Sequence, residues 1–518
     1  MNARRILKRV DCWALVIWPV CLLIPYLPFP PRTGASSWPW RQELALALVT
    51  LISSLHLIRC KESCKKAFSL TPIDWLVLLP LTAFLIWTWA SILWAQNKFA
   101  TIYYSLTWSL YWSFFVVMLK VVSSRRLRAM VWYFLSLVIL ILSISCFVEW
   151  IAGADLTDGN LRATAKPLFR GFSGFGETLI IVIPFFASLS LNIRRRREAF
   201  LCGAIAVAVW AGVLETSRRA PLVGGAIGIL FFVVGIAIRG KSLHNCPKRL
   251  ATLALAFVAT TALHSLPTRF TMRSGNPLER LQMTTPTEPN TNVRLLFWGI
   301  ATEMWRTHPL IGVGANNFEI VYPEARASLS QRLAEPAFAN LNEALLAQYA
   351  HGEYFQIAAE LGAIGLALIF LLFVGTTILT RRAALNARNY AAILGLFSGL
   401  IAFIVSSVAT PFSFRWTGSG VVFFFCVAMI AQTAKEASTT AKSGFTFSKL
   451  LTNNWLHLIR KGELVRSLYL TCLTISITSL LVYGQQAISS TIQGMAERAL
   501  NKAEAERLYK LAITIAPC

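Results

Sequence analysis

Three groups of residues in this 518-residue chain have types and spacing suited to chemistry. The first is the run Glu215-Thr-Ser-Arg218-Arg219-Ala-Pro221, a short turn between two apolar stretches. A guanidinium is planar, permanently charged and able to donate two parallel hydrogen bonds, so it fits phosphate oxygens. Two arginines in so tight a turn read as an anion-binding feature; the plainer reading is a turn facing solvent or lipid headgroups. The second is Arg294, near the start of a helical segment that contains Trp298. By residue type alone it is most simply a polar-face residue. The third is His351, with Glu353 two residues on. An imidazole exchanges its proton near neutral pH, which makes His351 a candidate general base. Its alternative is an ordinary residue at a membrane boundary. Glu353 either orients that imidazole or belongs to a polar rim. Trp298, Trp305 and Tyr354 are candidates for stacking on a ring of a bound ligand, or else interfacial anchors.

These residues must be positioned by a membrane-embedded frame. The sequence is 56% hydrophobic and only 14% charged, where soluble domains carry about a quarter charged residues. Thirteen apolar runs read as helical spans, at roughly 12–29, 42–59, 74–95, 102–122, 129–151, 175–191, 199–214, 220–238, 250–265, 354–379, 390–408, 418–434 and 468–484. The fold class expected is an all-α polytopic transmembrane bundle of about 12–13 spans.

The net charge of +25 could suggest nucleic acid, but its distribution points elsewhere. Alternate inter-span segments, from Arg4 and Arg5 through Arg194–Arg197 to Lys435–Arg466, hold 29 Lys and Arg against 6 Asp and Glu. The remaining segments are nearly neutral. A basic excess on one face marks the cytoplasmic side, so no nucleic-acid partner is needed. It predicts a cytoplasmic N-terminus, an external C-terminus and a multi-pass membrane location. The first apolar run reads as a span rather than a cleavable signal.

The domain organisation expected is a membrane bundle over 1–265, a large external loop over 266–353, further spans over 354–434, a basic cytoplasmic connector over 435–467, a last span over 468–484 and an external tail over 485–518. A loop as long as 266–353 is usually functional. Within it, 267–291 reads as irregular, 292–307 as a helix capped by Asn292 and ended by His308-Pro309, and Gly312 to Asn317 as a turn. Helices over 317–333 and 337–350 are predicted to follow, the last merging with the tenth span. The tail segment from Met495 to Pro517 resembles part of a tetratricopeptide repeat: a terminal amphipathic helix, a docking element for a protein partner, or the stub of a longer array. Cys60 and Cys64 lack a second ligand pair, so no metal site is expected; no cofactor or nucleotide signature is present either.

The order of short motifs resembles the O-antigen ligase and O-antigen polymerase family of membrane glycosyltransferases. The residues are Ser217-Arg218, Arg294 with Trp298, the run His308-Pro-Leu-x-Gly-x-Gly-x-Asn-Phe318, and Ala350-His351 with Glu353, Tyr354, Gln356, Glu360, Gly362 and Gly365. The resemblance covers roughly 70–435. It implies a GT-C-like fold and transfer of a glycan from undecaprenyl diphosphate to an acceptor, lipid A-core in a ligase, at the outer, periplasmic face of the bacterial inner membrane. It further implies that Arg218 and Arg294 bind the diphosphate and that His351 positions or deprotonates the acceptor hydroxyl, in a metal-independent, inverting reaction. Arg219 departs from the family pattern, where a small residue is common; it either adds a phosphate contact or faces solvent. Glu360 is expected to be an inward-facing structural carboxylate. A second lipid-linked glycan as acceptor would make the protein a polymerase, and a protein hydroxyl an O-oligosaccharyltransferase. From a different class, a flippase or transporter is the remaining reading, although no internal repeat supports it.

Overall fold

A computed structural model describes residues 15–26, 40–59, 70–153, 175–216, 218–239, 246–266, 281, 289–333, 345–385, 390–410, 413–440, 461–496 and 502–516. The chain is an all-α, multi-pass membrane bundle, and no strand occurs among the described residues. In chain order the helices are α1 (Trp40–Arg59), α2 (Pro72–Ala90), α3 (Lys98–Ser123), α4 (Arg125–Gly153), α5 (Phe175–Asn192), α6 (Arg196–Glu215), α7 (Arg219–Arg239) and α8 (Cys246–Ser265). They continue with α9 (Pro289–Thr307), α10 (Phe318–Leu333), α11 (Glu353–Ala383), α12 (Tyr390–Ser406), α13 (Thr417–Thr440), α14 (Lys461–Ala496) and α15 (Lys502–Ile515). A 3-10 segment, Trp18–Tyr26, falls in the first apolar run. Each of the thirteen apolar runs contains helix, and nine helices among the described residues are long and apolar enough to cross a membrane.

Helices approach closely where glycine removes the side chain, the usual device in a bilayer, which gives apolar surfaces no reason to associate. A Cβ on Gly228 of α7 would lie 2.6 Å from Cβ of Ala402 on α12, and one on Gly395 of α12 would lie 2.6 Å from the carbonyl of Pro184 on α5. Thus α12 sits between α5 and α7. Ion pairs tie the basic end of the bundle: Lys435 reaches the wholly buried Asp74 at 2.7 Å, and Arg128 reaches Glu436 at 3.1 Å. These four residues belong to three of the segments read as cytoplasmic, which the pairs bring together.

The large loop departs from expectation in three ways. Its first helix begins at Pro289, so Asn292 lies inside it rather than capping it. Residues 345–350 are not helical, and α11 starts afresh at Glu353 after Gly352, so no loop helix merges with the tenth span. The reason is local: His351 has a φ of 56°, a left-handed conformation that ends an α-helix. Residues 334–344 and all of 267–288 except Leu281 lie outside the described residues, as do Cys60 and Cys64. The loop has a small apolar core of its own, with Leu296, Phe297, Ile300 and Met304 of α9 against Phe318, Tyr322 and Leu329 of α10. Buried Glu303 locks the same pair, accepting from Arg306 at 2.7 Å, Arg332 at 2.9 Å and Ser328 at 3.0 Å. Arg306 foremost pulls that carboxyl down to about 2.

The final apolar helix does not stop near 484 but runs to Ala496. The tail helix α15 folds back on it, with the Ser489 hydroxyl donating to the Ala512 carbonyl at 2.9 Å.

Candidate active site

The framework of the site is a break in α11. Gly362 takes φ 67° and ψ −167°, a region essentially open to glycine alone. A break of this kind frees backbone groups that must find partners when buried. The run from His308 to Asn317 supplies them. The carbonyls of Ala359 and Glu360 accept from the amides of Val313 at 3.0 Å and Gly314 at 2.9 Å, while the amides of Ala363 and Ile364 donate to Pro309 at 2.9 Å and Leu310 at 3.3 Å. The remaining carbonyl, Leu361, accepts from the Trp87 indole at 3.0 Å. The two glycine motifs, Gly312-x-Gly314 and Glu360-x-Gly362, are thus two halves of one interlock. Asn317 fixes it to the bundle: its carboxamide oxygen accepts from the Asn97 amide at 2.7 Å and its nitrogen donates to Thr101 at 2.9 Å.

On this frame α9 lies across residues 351–355. Arg294, Phe297 and Trp298 stand at i, i+3 and i+4, one face of a helix. Phe297 stacks on the His351 ring at 5.5 Å and 25°, and Trp298 stacks on Phe355 at 5.0 Å and 12°. The third member, Arg294, is thereby carried to His351. Arg218 arrives from the start of α7, and the charges of both arginines act on the imidazole. The structure therefore brings together Arg218, Arg294 and His351, which are 133 residues apart at their extremes by numbering. Ser217 lies outside the described residues.

Burial foremost, then Arg294 and Arg218, push His351 from the usual 6.5 down to about 4. The ring is consequently neutral at pH 7 and able to accept a proton. Its left-handed backbone costs a non-glycine residue about 1–3 kcal/mol. The surroundings hold it there: the Glu353 amide donates to Ser407 at 2.9 Å, and a Cβ on Gly352 would come within 2.6 Å of the Val408 carbonyl. A pH profile follows from the neutral ring. The acid limb of kcat/KM, which reports the free enzyme, is expected near pH 4 rather than 6.5. Removing a neighbouring positive charge with Arg294→Gln should move it upward. A bound polyanion offsets the arginines, so the acid limb of kcat should lie above that of kcat/KM. Identical limbs near 6.5 in wild type and variant would contradict the electrostatic coupling.

The other residues marked in the sequence take definite places. Arg219 does not simply face solvent: its Nη1 donates to Thr291 at 3.2 Å, tying α7 to the first turn of α9. Glu353 is not part of a polar rim; it is wholly buried, in the field of Arg415 and Glu360 and not that of the His351 pair. Tyr354 turns its hydroxyl into the bundle, donating to the Ile404 carbonyl at 2.8 Å, and its ring meets Phe373 edge-on. Trp298 keeps a half-buried ring at the site, while Trp305 donates to Pro309 at 3.0 Å and is exposed. Glu360 is the inward-facing structural carboxylate expected, in a 2.5 Å ion pair with Arg415.

Two residues of the site were not singled out from the sequence. Glu177, wholly buried in the first turn of α5, lies in the field of both Arg218 and Arg294. Its signal was a carboxylate opening an apolar run, which is costly in a membrane and usually functional. Arg415 breaks the near-neutrality of the outer segments just as Arg218 does, and the same charge asymmetry would have found it. Glu215, at the end of α6, is wholly buried and pairs with His264 of α8 at 3.4 Å.

Fold and site define a multi-pass membrane protein with a cationic and imidazole-bearing centre at the end of the bundle opposite its basic clusters. Residues 204–370 match the family model described as O-antigen ligase. Members of that family are membrane glycosyltransferases of the ligase and polymerase type, which work on a lipid-linked glycan donor and a glycan acceptor. The match holds Arg218, Arg219, Arg294, His351 and the whole interlock, while Glu177 and Arg415 lie outside it. No curated protein matches the chain.

Proposed function

We propose that the chain is an O-antigen ligase that transfers a glycan from undecaprenyl diphosphate to a hydroxyl of lipid A-core, at the periplasmic face of the inner membrane. The observation that carries this reading is the convergence of Arg218 and Arg294 on a neutral His351. The acceptor oxygen attacks the anomeric carbon, the bond from that carbon to the phosphate oxygen breaks, and His351 takes the hydroxyl proton. The departing diphosphate keeps the electron pair, and the two guanidiniums stabilise the charge that develops on it, with no metal required. Direct displacement inverts the anomeric configuration. Trp298 offers a half-buried aromatic face to sugar beside this centre.

Support for a lipid-carried donor comes from a cavity of about 230 Å³ lined by Trp210, Leu214, Leu222, Val223 and Ile227. It begins one helical turn beyond Arg218 on the same helix, where a prenyl chain would descend from a bound diphosphate. The periplasmic assignment rests on the charge bias, since the site lies away from the basic end. The polymerase reading differs only in its acceptor, so acceptor choice is the test. Purified protein in liposomes is given undecaprenyl-diphosphate glycan and either lipid A-core or excess lipid-linked glycan. Glycosylated lipid A-core is the expected product. Lengthening of the lipid-linked glycan alone would make the protein a polymerase, and transfer only to added protein hydroxyls an O-oligosaccharyltransferase.

A further inference from the structure

Behind the site runs a chain of buried polar groups that ends at the residue before His351. Arg415, in the Ser413–Trp416 segment between α12 and α13, has a side chain only 6% exposed. Its Nη1 donates to Asn316 Oδ1 at 2.7 Å, and its Nη2 donates to Glu360 Oε2 at 2.5 Å. The rings of Tyr104 and Tyr349 lie 4.6 Å and 5.3 Å from the guanidinium carbon. Glu360 Oε1 accepts from Gln356 Nε2 at 2.7 Å and from the Phe318 amide at 3.3 Å. Gln356 Oε1 in turn accepts from the Ala350 amide at 2.5 Å.

Donor and acceptor inventory gives this chain a direction. An ionised carboxylate only accepts, and a guanidinium only donates. Arg415 holds Glu360 in place, so Gln356 must turn its NH2 towards that carboxylate. The carboxamide oxygen is left facing the Ala350 amide. A carboxamide free to rotate would present donor and acceptor alternately, whereas this one has a single orientation. The peptide that enters His351 is thereby pinned on its N-terminal side, as the Glu353 amide is pinned on the other by Ser407. Between the two pins His351 holds its left-handed φ of 56°.

We propose that Gln356, oriented by Glu360 and Arg415, is a positioning residue that aims the His351 imidazole at the acceptor hydroxyl. The inference rests on the role given to His351 under Proposed function. A displacement of about 1 Å in a catalytic group can cost about a hundredfold in rate, so loss of one pin is expected to register in turnover.

The test is steady-state transfer by full-length protein in liposomes, for Gln356→Met and Arg415→Lys, each alone and combined with His351→Ala. Gln356→Met keeps the side-chain length and removes both hydrogen bonds. It is expected to lower kcat about tenfold or more with donor KM within about twofold of wild type, and to add no further loss to the residual rate of His351→Ala. Arg415→Lys keeps the charge but cannot reach Glu360 and Asn316 in the same fork, and should fall in the same way by a smaller factor. It stands in if Gln356→Met fails to purify as a folded monodisperse protein. A purely structural role would reduce both backgrounds alike. Folded variants with wild-type kcat, or an equal further loss on His351→Ala, would overturn the inference while leaving His351 itself in place. A fully active His351→Ala would overturn the role of His351 and this positioning with it.

Discussion

His351→Ala is expected to lower kcat for glycan transfer by about 10²–10⁴-fold, the range that a positioned general base contributes, with donor affinity little changed. The imidazole is partly buried, and burial foremost, then the charges of Arg294 and Arg218, disfavour its protonated form and leave it neutral. Its ring is held by Phe297 and its backbone by the residues on either side. Alanine relieves the side-chain demand of that conformation only slightly, so the protein should remain folded and still bind donor. His351→Gln preserves a hydrogen-bonding group but cannot accept and release a proton near neutral pH. It should therefore be nearly as slow as alanine if His351 acts as base, and distinctly faster if it only orients the hydroxyl. Single-turnover rates with saturating acceptor separate the two outcomes.

The second large effect belongs to the arginines. Arg218→Ala and Arg294→Ala are each expected to reduce turnover by about 10²–10³-fold, the loss typical of removing one preorganised donor to developing negative charge. Unlike His351→Ala, they should also weaken binding of the prenyl diphosphate product, since the same contacts hold the diphosphate before and after the bond breaks. Lysine in their place keeps the charge but loses the planar fork, and recovery should be partial. Arg219→Ala, by contrast, removes a tie to Thr291 and should change thermal stability more than turnover. Binding of a fluorescent prenyl diphosphate to each purified variant distinguishes these roles. Unchanged affinity in both Arg218→Ala and Arg294→Ala would contradict a diphosphate site.

Much of this was legible before any coordinates. Apolar runs of about twenty residues have few options other than membrane helices, and nine helices among the described residues are long and apolar enough to be such spans. The candidates Arg218, Arg294 and His351 could be named because charged and titratable groups on the neutral side of the chain stand out against a strong basic bias on the other. That they meet was not legible. It depends on the i, i+3, i+4 face of α9, which places Arg294, Phe297 and Trp298 across residues 351–355, and on the turn at 218 reaching the same point. Glu353 was misplaced because a polar residue beside His351 in sequence looks like its partner; a left-handed residue followed by a new helix sends it the other way, into the field of Arg415. The helix expected over 337–350 is absent over 345–350, the part of it that the structure describes. The pairing of the two glycine motifs was invisible in either alone, since each supplies the hydrogen-bond partners that the other lacks.

One measurement bears most directly on the account. Purified protein in liposomes, loaded with undecaprenyl-diphosphate glycan labelled in both prenyl and sugar, is mixed with acceptor, and both labels are followed. The expected result is release of free undecaprenyl diphosphate in equal amount to glycosylated acceptor, abolished by His351→Ala. Movement of the intact lipid-linked glycan across the bilayer, with no bond broken between sugar and phosphate, would contradict it and make the protein a transporter.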